Sequence, residues 1–133
     1  MIGLMATIAV FAISACGSSG PDTSIDATMT DFIFSPDDWT VAAGEDITIE
    51  LTNDGSVDHE WVILRPGVTI ESEADLPATE EELLANFVFW EDEVEAGDSK
   101  TLTFTAPAAG AYQIICAIED HFNAGMEGQL VAE

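Results

Sequence analysis

The chain has 133 residues, room for one domain at the usual allowance of roughly 100 to 200 residues each. It carries 26 Asp and Glu against one Arg and one Lys, for a formal net charge of −24. That balance excludes a nucleic-acid binder, which needs cations to displace phosphate counterions, and a polybasic membrane-surface protein. A hydrophobic content of 47% excludes a disordered acidic tail, and with only His59 and His121 in the chain, chemistry needing three imidazoles is excluded too.

In chain order, residues 2–15 read IGLMATIAVFAISA, an uncharged apolar run closed by small residues just before Cys16. The run is shorter than the roughly 17 to 25 residues of a spanning helix, so residues 1–15 are expected to be a secretory signal peptide. Such signals normally open with Lys or Arg, and the first cation here is Arg65, so the true start is expected upstream of Met1. Ile13-Ser14-Ala15-Cys16 resembles the lipobox of bacterial lipoproteins, in which the Cys is acylated and becomes the mature N-terminus. Cys16 is therefore the expected lipidation site. The alternative leaves Cys16 as a free thiol or as a disulfide partner for Cys116, the only other Cys. Gly17-Ser18-Ser19-Gly20-Pro21 has the composition of a flexible tether, and residues 16–24 are assigned to the lipidated Cys and that tether, with a span of about 16 Å.

Residues 25–133 form the folded domain. Short β-branched and aromatic runs separated by Gly, Pro, Asn and Asp predict strands over Ile25–Phe34, Trp39–Ala42, Asp46–Thr52, His59–Leu64, Phe87–Trp90, Ser99–Thr105, Ala111–Ala117 and Gly128–Ala132. Ile47, Ile49 and Leu51 alternate with Thr48 and Glu50, the mark of one buried and one wet face. Eight strands in a domain of this length predict an all-β, eight-stranded Greek-key sandwich. The exception is Ser72–Asn86, where Thr79 stands three residues before Glu82 and ahead of Leu83 and Leu84, a capping-box signature for one short helix. It reads as an inter-strand excursion without catalytic content. Trp39, Trp61 and Trp90 are expected as core or edge-packing residues.

Near the C-terminus, Cys116, His121 and Met126 follow one another at intervals of five. Any one alone reads as a packed core residue. With two His and four Met in 133 residues, both offsets arise by chance about five times in ten thousand. Thiolate and imidazole in a trigonal His₂Cys plane, with a weak axial Met, is the ligand set of a copper electron-transfer site. The loop lacks one imidazole, and His59 is the only other His.

With these residues the chain resembles the cupredoxin family, the small blue copper proteins that include plastocyanin, azurin and halocyanin, over residues 25–132. The resemblance rests on Gly110-Ala111-Tyr112 before Cys116, on the Cys116–His121–Met126 loop, on Met126-Glu127-Gly128 leading into a last strand, and on His59 in Asp58-His59-Glu60-Trp61. It implies an eight-stranded sandwich that carries one electron on one copper, cycling between Cu(I) and Cu(II). His59, Cys116 and His121 would be the strong ligands and Met126 the axial one. His59 would be buried and His121 exposed as the outlet for electrons, Gly125 and Gly128 would let the loop turn over the metal, and Tyr112 would tie a sandwich corner. Two residues depart from the family. Glu60 stands where many members have an Asn that steadies the thiolate loop, and Glu119-Asp120 stands where relatives often have Pro-Gly. Two carboxylates beside copper would favour Cu(II) and lower the potential.

The leading function is therefore a monomeric, lipid-anchored electron carrier outside the cytoplasmic membrane, at the cell surface or in a periplasm. Its partners would be redox proteins, such as a basic cytochrome or a membrane oxidase or reductase. The alternative is an extracytoplasmic copper-binding module for buffering or delivery. Copper oxidases and nitrite reductases need further His, and a dinuclear copper site needs two Cys in the loop; the chain has neither.

Overall fold

The computed structural model describes residues 20–133; the expected signal peptide, Cys16 and the start of the expected tether lie outside the described residues. Nine strands follow one another: β1 (Ser24–Thr30), β2 (Ile33–Ser35), β3 (Asp38–Val41), β4 (Asp46–Asn53), β5 (His59–Leu64), β6 (Val88–Val94), β7 (Ser99–Thr105), β8 (Gly110–Ile115) and β9 (Glu127–Ala132). One helix, α1 (Glu80–Asn86), and a single 3-10 turn over Glu73–Asp75 lie between β5 and β6. The strands form two sheets, ordered β2-β1-β4-β7 and β3-β9-β8-β5-β6. Pairing is antiparallel except between β1 and β4 and between β3 and β9. This is the sandwich expected from sequence, with nine strands instead of eight.

The extra strand arises because Ile25–Phe34 is not continuous. Thr30 pairs with Ile33 across a two-residue turn, Asp31-Phe32, and the segment folds back on itself as β1 and β2. No Gly or Pro marks that turn in the sequence, and Phe32 takes a positive φ of 66°. At the other end of β1 the fold begins earlier than the sequence suggests. Asp22 pairs with Val41, and Thr23 accepts a hydrogen bond from the Thr48 amide, so residues 22–24 belong to the sheets and not to a tether.

Alternation places the core between the sheets. Ile47, Ile49 and Leu51 of β4 point inward, as their pattern predicts, toward Trp39, Trp61, Phe104, Ile114 and Leu130. Each fully buried aliphatic side chain contributes about 1.5–3 kcal/mol. The three tryptophans pack edge to face, Trp39 on Trp61 at 5.3 Å and Trp61 on Trp90 at 5.9 Å between centroids. Tyr112 Oη donates to the Ala108 carbonyl at 2.6 Å, the corner tie the family resemblance implies.

β5 does not alternate, because both of its faces are covered. Trp61 and Ile63 enter the inter-sheet core, while Val62 and Leu64 enter a second cluster with Ile70, Leu83, Val88, Ile115 and Phe122. The segment between β5 and β6 supplies that cover. Thr79 caps α1, its hydroxyl accepting from the Glu82 amide at 3.2 Å, and Leu83 packs downward. The expected single helix over Ser72–Asn86 is in fact the 3-10 turn followed by α1. Asp75 closes that turn, its carboxylate accepting from the Ser72 amide and hydroxyl at 2.9 and 3.0 Å.

Candidate metal centre

His59 is the first residue of β5 and Cys116 directly follows β8, its neighbour in the sheet. His59 faces inward in step with Trp61 and Ile63, and Cys116 in step with Tyr112 and Ile114, so both side chains meet between the sheets at one end of the sandwich. The chain then leaves β8 in a tight loop and returns as β9. The loop is closed by backbone hydrogen bonds from Cys116 to the Met126 carbonyl (3.1 Å) and from Met126 to the His121 carbonyl (3.2 Å). A further bond from His121 to the Ile118 carbonyl (3.0 Å) folds the imidazole back over the thiol.

The result is a three-donor cluster. His121 Nδ1 lies 3.3 Å from Cys116 Sγ and 3.2 Å from His59 Nδ1, and one ligand atom from each residue falls within 4.8 Å of the others. Donor atoms bound about 2.0–2.3 Å from a common ion stand roughly 3 to 4 Å apart, so the arrangement fits a metal. His59 Nε2 is buried without a hydrogen-bond partner. Met126 is fully buried in the same core, at the point where the loop rejoins β9.

Burial, and next the neighbouring His121, hold the His59 imidazole below its ordinary pKa and therefore neutral at neutral pH, as a ligand must be. The Cys116 thiol is pushed up to about 11, chiefly by burial, against the backbone N–H groups of Glu60 and Ile118 that favour the thiolate. A metal entering the site must displace that proton, which softens the cost of burying a thiolate by pairing it with a cation.

The structure answers the questions raised by the unusual residues. The Glu60 amide donates to Cys116 Sγ at 3.4 Å, so this position steadies the thiolate through its backbone although the family's Asn is absent. The Glu60 carboxyl is half-buried and pushed up to about 7 by burial, with Glu91 and Glu93 adding to the effect. Glu119 and Asp120 are exposed. Through water a unit charge even about 4 Å away contributes only about 1 kcal/mol, so their pull on the potential is weaker than the sequence suggested. Asp120 has a φ of 69°, a conformation that Asp tolerates and the family's Gly adopts freely.

Two expectations are corrected. His121 is not exposed: only 8% of it is accessible, because the Phe32 ring packs across it edge to face at 4.9 Å. Gly128 does not serve the loop. A Cβ there would collide with the Asp37 carbonyl, so its role is the close approach of the segment before β3; Gly125, at φ 100°, is the residue that turns the loop.

Sequence reasoning missed four residues that build the walls. Asn53 is fully buried, its Nδ2 donating to the Val57 and Val94 carbonyls (2.8 Å each) and its Oδ1 accepting from the Gly55 amide (2.9 Å). It ties down the loop that delivers His59. Asp31 Oδ1 accepts from the Ser56 amide and hydroxyl at 3.0 and 3.1 Å, fastening the β1–β2 turn to the same loop. Phe32 covers the imidazoles. Glu73, in the excursion read as without catalytic content, accepts from the amides of Asp120 (2.9 Å) and Asn123 (3.2 Å), clamping the loop that carries His121. For Phe32 the available signal was a bulky residue in a turn without glycine, and for Asn53 its place at the head of the Asn53-Asp54-Gly55 turn; Asp31 and Glu73 meet partners 25 or more residues away, which no local pattern announces.

A Greek-key sandwich with two imidazoles and a thiol buried together at one end defines the cupredoxin class. The chain belongs to that family: the cupredoxin-like domain profile matches residues 3–132. Auracyanin-A of Chloroflexus aurantiacus is 28% identical, with 98% of this chain and 94% of that protein aligned. The copper-resistant cuproprotein CopI of Rubrivivax gelatinosus is 32% identical over 74% of this chain and 58% of its own length. Among solved structures, reduced auracyanin from Roseiflexus castenholzii superposes with a TM-score of 0.68 at 26% identity, covering 86% of this chain and 99% of that one. That of auracyanin A, described as a "blue" copper protein, gives 0.65 at 28% identity, over 86% and 100%.

Proposed function

We propose that this chain is a type 1 (blue) copper protein that carries single electrons between redox partners outside the cytoplasmic membrane. The carrying observation is the buried cluster of His59 Nδ1, Cys116 Sγ and His121 Nδ1. The printed description of auracyanin A as a blue copper protein supports the same reading. These three residues would hold the ion, with the Met126 thioether as a further, weaker donor. The bound copper supplies one-electron chemistry between Cu(I) and Cu(II).

The chain's own contribution is rigidity and dryness. His59 and Cys116 are fixed by adjacent strands, His121 by the closed loop, and the Glu60 amide stabilises sulfur charge. Donors that do not move between oxidation states keep the reorganisation of each transfer small. The protein is then a carrier and not an enzyme, acting as a monomer that hands electrons to a basic cytochrome or a membrane oxidase or reductase. Cys16 would be acylated and hold the domain at the membrane surface; wild-type protein is expected with membranes and Cys16→Ser without acyl modification, and soluble wild type with an unmodified Cys16 overturns the anchor.

A second reading, copper buffering or delivery, draws on the printed name of the CopI relative. Titration of the purified chain with Cu(II) decides first. One equivalent should give an intense blue thiolate charge-transfer band, lost in Cys116→Ser, and Met126→Gln should retain copper at a lower potential because an amide oxygen is the harder donor. A colourless complex rejects the carrier, and rapid stopped-flow loss of copper to a chelator favours delivery.

A further inference from the structure

The β1–β2 turn lies far from every ligand in sequence, yet it forms one wall of the site. Its second residue, Phe32, stands edge to face on both imidazoles, with ring centroids 4.9 Å from His121 and 6.3 Å from His59. The ring is itself 36% exposed while His121 beneath it is only 8% exposed. Anything approaching this end of the sandwich meets Phe32 before it meets the imidazole.

The backbone makes this placement informative. Phe32 sits at φ 66°, in the left-handed region that a bulky side chain disfavours and that Gly or Asn would occupy with little strain. A turn selected only for turning would not carry Phe at this position. The turn is also held from outside: the Asp54 amide donates to the Met29 carbonyl at 2.8 Å, and Asp31 accepts from Ser56. Gly55 completes the fit, since a Cβ there would lie 3.1 Å from both Asp31 Oδ1 and His59 Nε2. The strain is thus over-determined by neighbours, as expected where a side chain is kept for what it covers.

We propose that Phe32 is a positioning residue for the metal centre: its ring seals His121 from water and holds the imidazole against Cys116. The proposal deepens the copper reading, and its copper-loaded tests rest on that reading. Without the ring, His121 swings more freely, water reaches the metal, and the more highly charged Cu(II) form is favoured.

The test compares F32N, which suits the turn and lacks the ring, with F32Y, which keeps the ring. In the metal-free chain, carbethoxylation of His121 by diethyl pyrocarbonate, followed by mass spectrometry, should be about tenfold faster in F32N than in wild type, with F32Y close to wild type. In the copper-loaded chain, F32N should lose copper to EDTA about tenfold faster and show a lower reduction potential, while F32Y restores both. Should F32N not fold, F32G makes the same comparison, since Gly suits this φ and lacks the ring. Equal carbethoxylation in F32N and wild type overturns the proposal, as does a tyrosine variant that behaves like the asparagine one. The metal-free measurement decides Phe32 even if wild type takes up no copper, so failure of the lid and failure of the copper reading give different results.

Discussion

At the residue scale, the three-donor cluster was legible and its supports were not, for one physical reason. His59, Cys116 and His121 are rare residue types in this chain, and two of them share a loop whose spacing can be counted. Asn53 and Asp31 are ordinary turn residues by composition, and only the folded chain brings Asn53 to Val94, or Asp31 to Ser56, 41 and 25 residues away. Asn53 is the more consequential of the two, because all three of its hydrogen bonds are made with the side chain fully buried. Asn53→Ala would strand the Val94 and Val57 carbonyls and the Gly55 amide. At about 1 kcal/mol per bond plus the desolvation of what is left unpaired, the loss should be about 2–4 kcal/mol. Urea denaturation of the metal-free variant measures it, and a loss under about 1 kcal/mol would mean the loop finds other partners.

At the scale of elements, alternation was a sound guide wherever one face of a strand is buried, as in β4. It weakened wherever tertiary cover overrode it. β5 is buried on both sides because α1 and its flanking segment lie over the outer face of the sheet. The β1–β2 break was hidden because Asp31 is the only turn-forming residue there, and Phe32 beside it reads as strand. That same covering segment reaches the ligand loop through Glu73, and this link gives an expected outcome. Glu73→Gln keeps one acceptor oxygen and sets an NH₂ donor against the other amide, so of the two charge-assisted hydrogen bonds to the Asp120 and Asn123 amides one weakens and one is lost. Because the carboxylate is only half-buried, the discounted loss is about 1 kcal/mol, so those two amides should exchange hydrogen about fivefold faster. Removing a negative charge from beside the centre should also raise the reduction potential of the copper-loaded protein. Unchanged exchange at residues 120 and 123 would show that the loop is held by its own backbone bonds alone.

At the scale of the whole molecule, composition already stated the main electrostatic fact, and the fold shows how little of it is compensated. Among the described residues the one ion pair is Lys100 with Asp92, at 2.6 Å, while Arg65 donates to the Val88 and Leu84 carbonyls. All 26 acidic residues lie beyond Cys16, so the whole −24 falls on a domain with a radius of gyration of about 13 Å. Self-repulsion on that scale destabilises the compact state. The Debye length falls from about 8 Å at 0.15 M to about 3 Å at 1 M ionic strength, so salt should screen the repulsion and raise the melting temperature. The proposed carrier function sets a second trend against the first. The same field should steer the protein to a cationic partner, and the association rate with a basic cytochrome should fall as salt rises. Melts and flash-induced electron-transfer rates across one salt series test both trends together, since no single nonspecific effect of salt makes the fold firmer and the encounter slower. A melting temperature flat or falling up to molar salt removes the repulsion, and a salt-independent rate removes the steering.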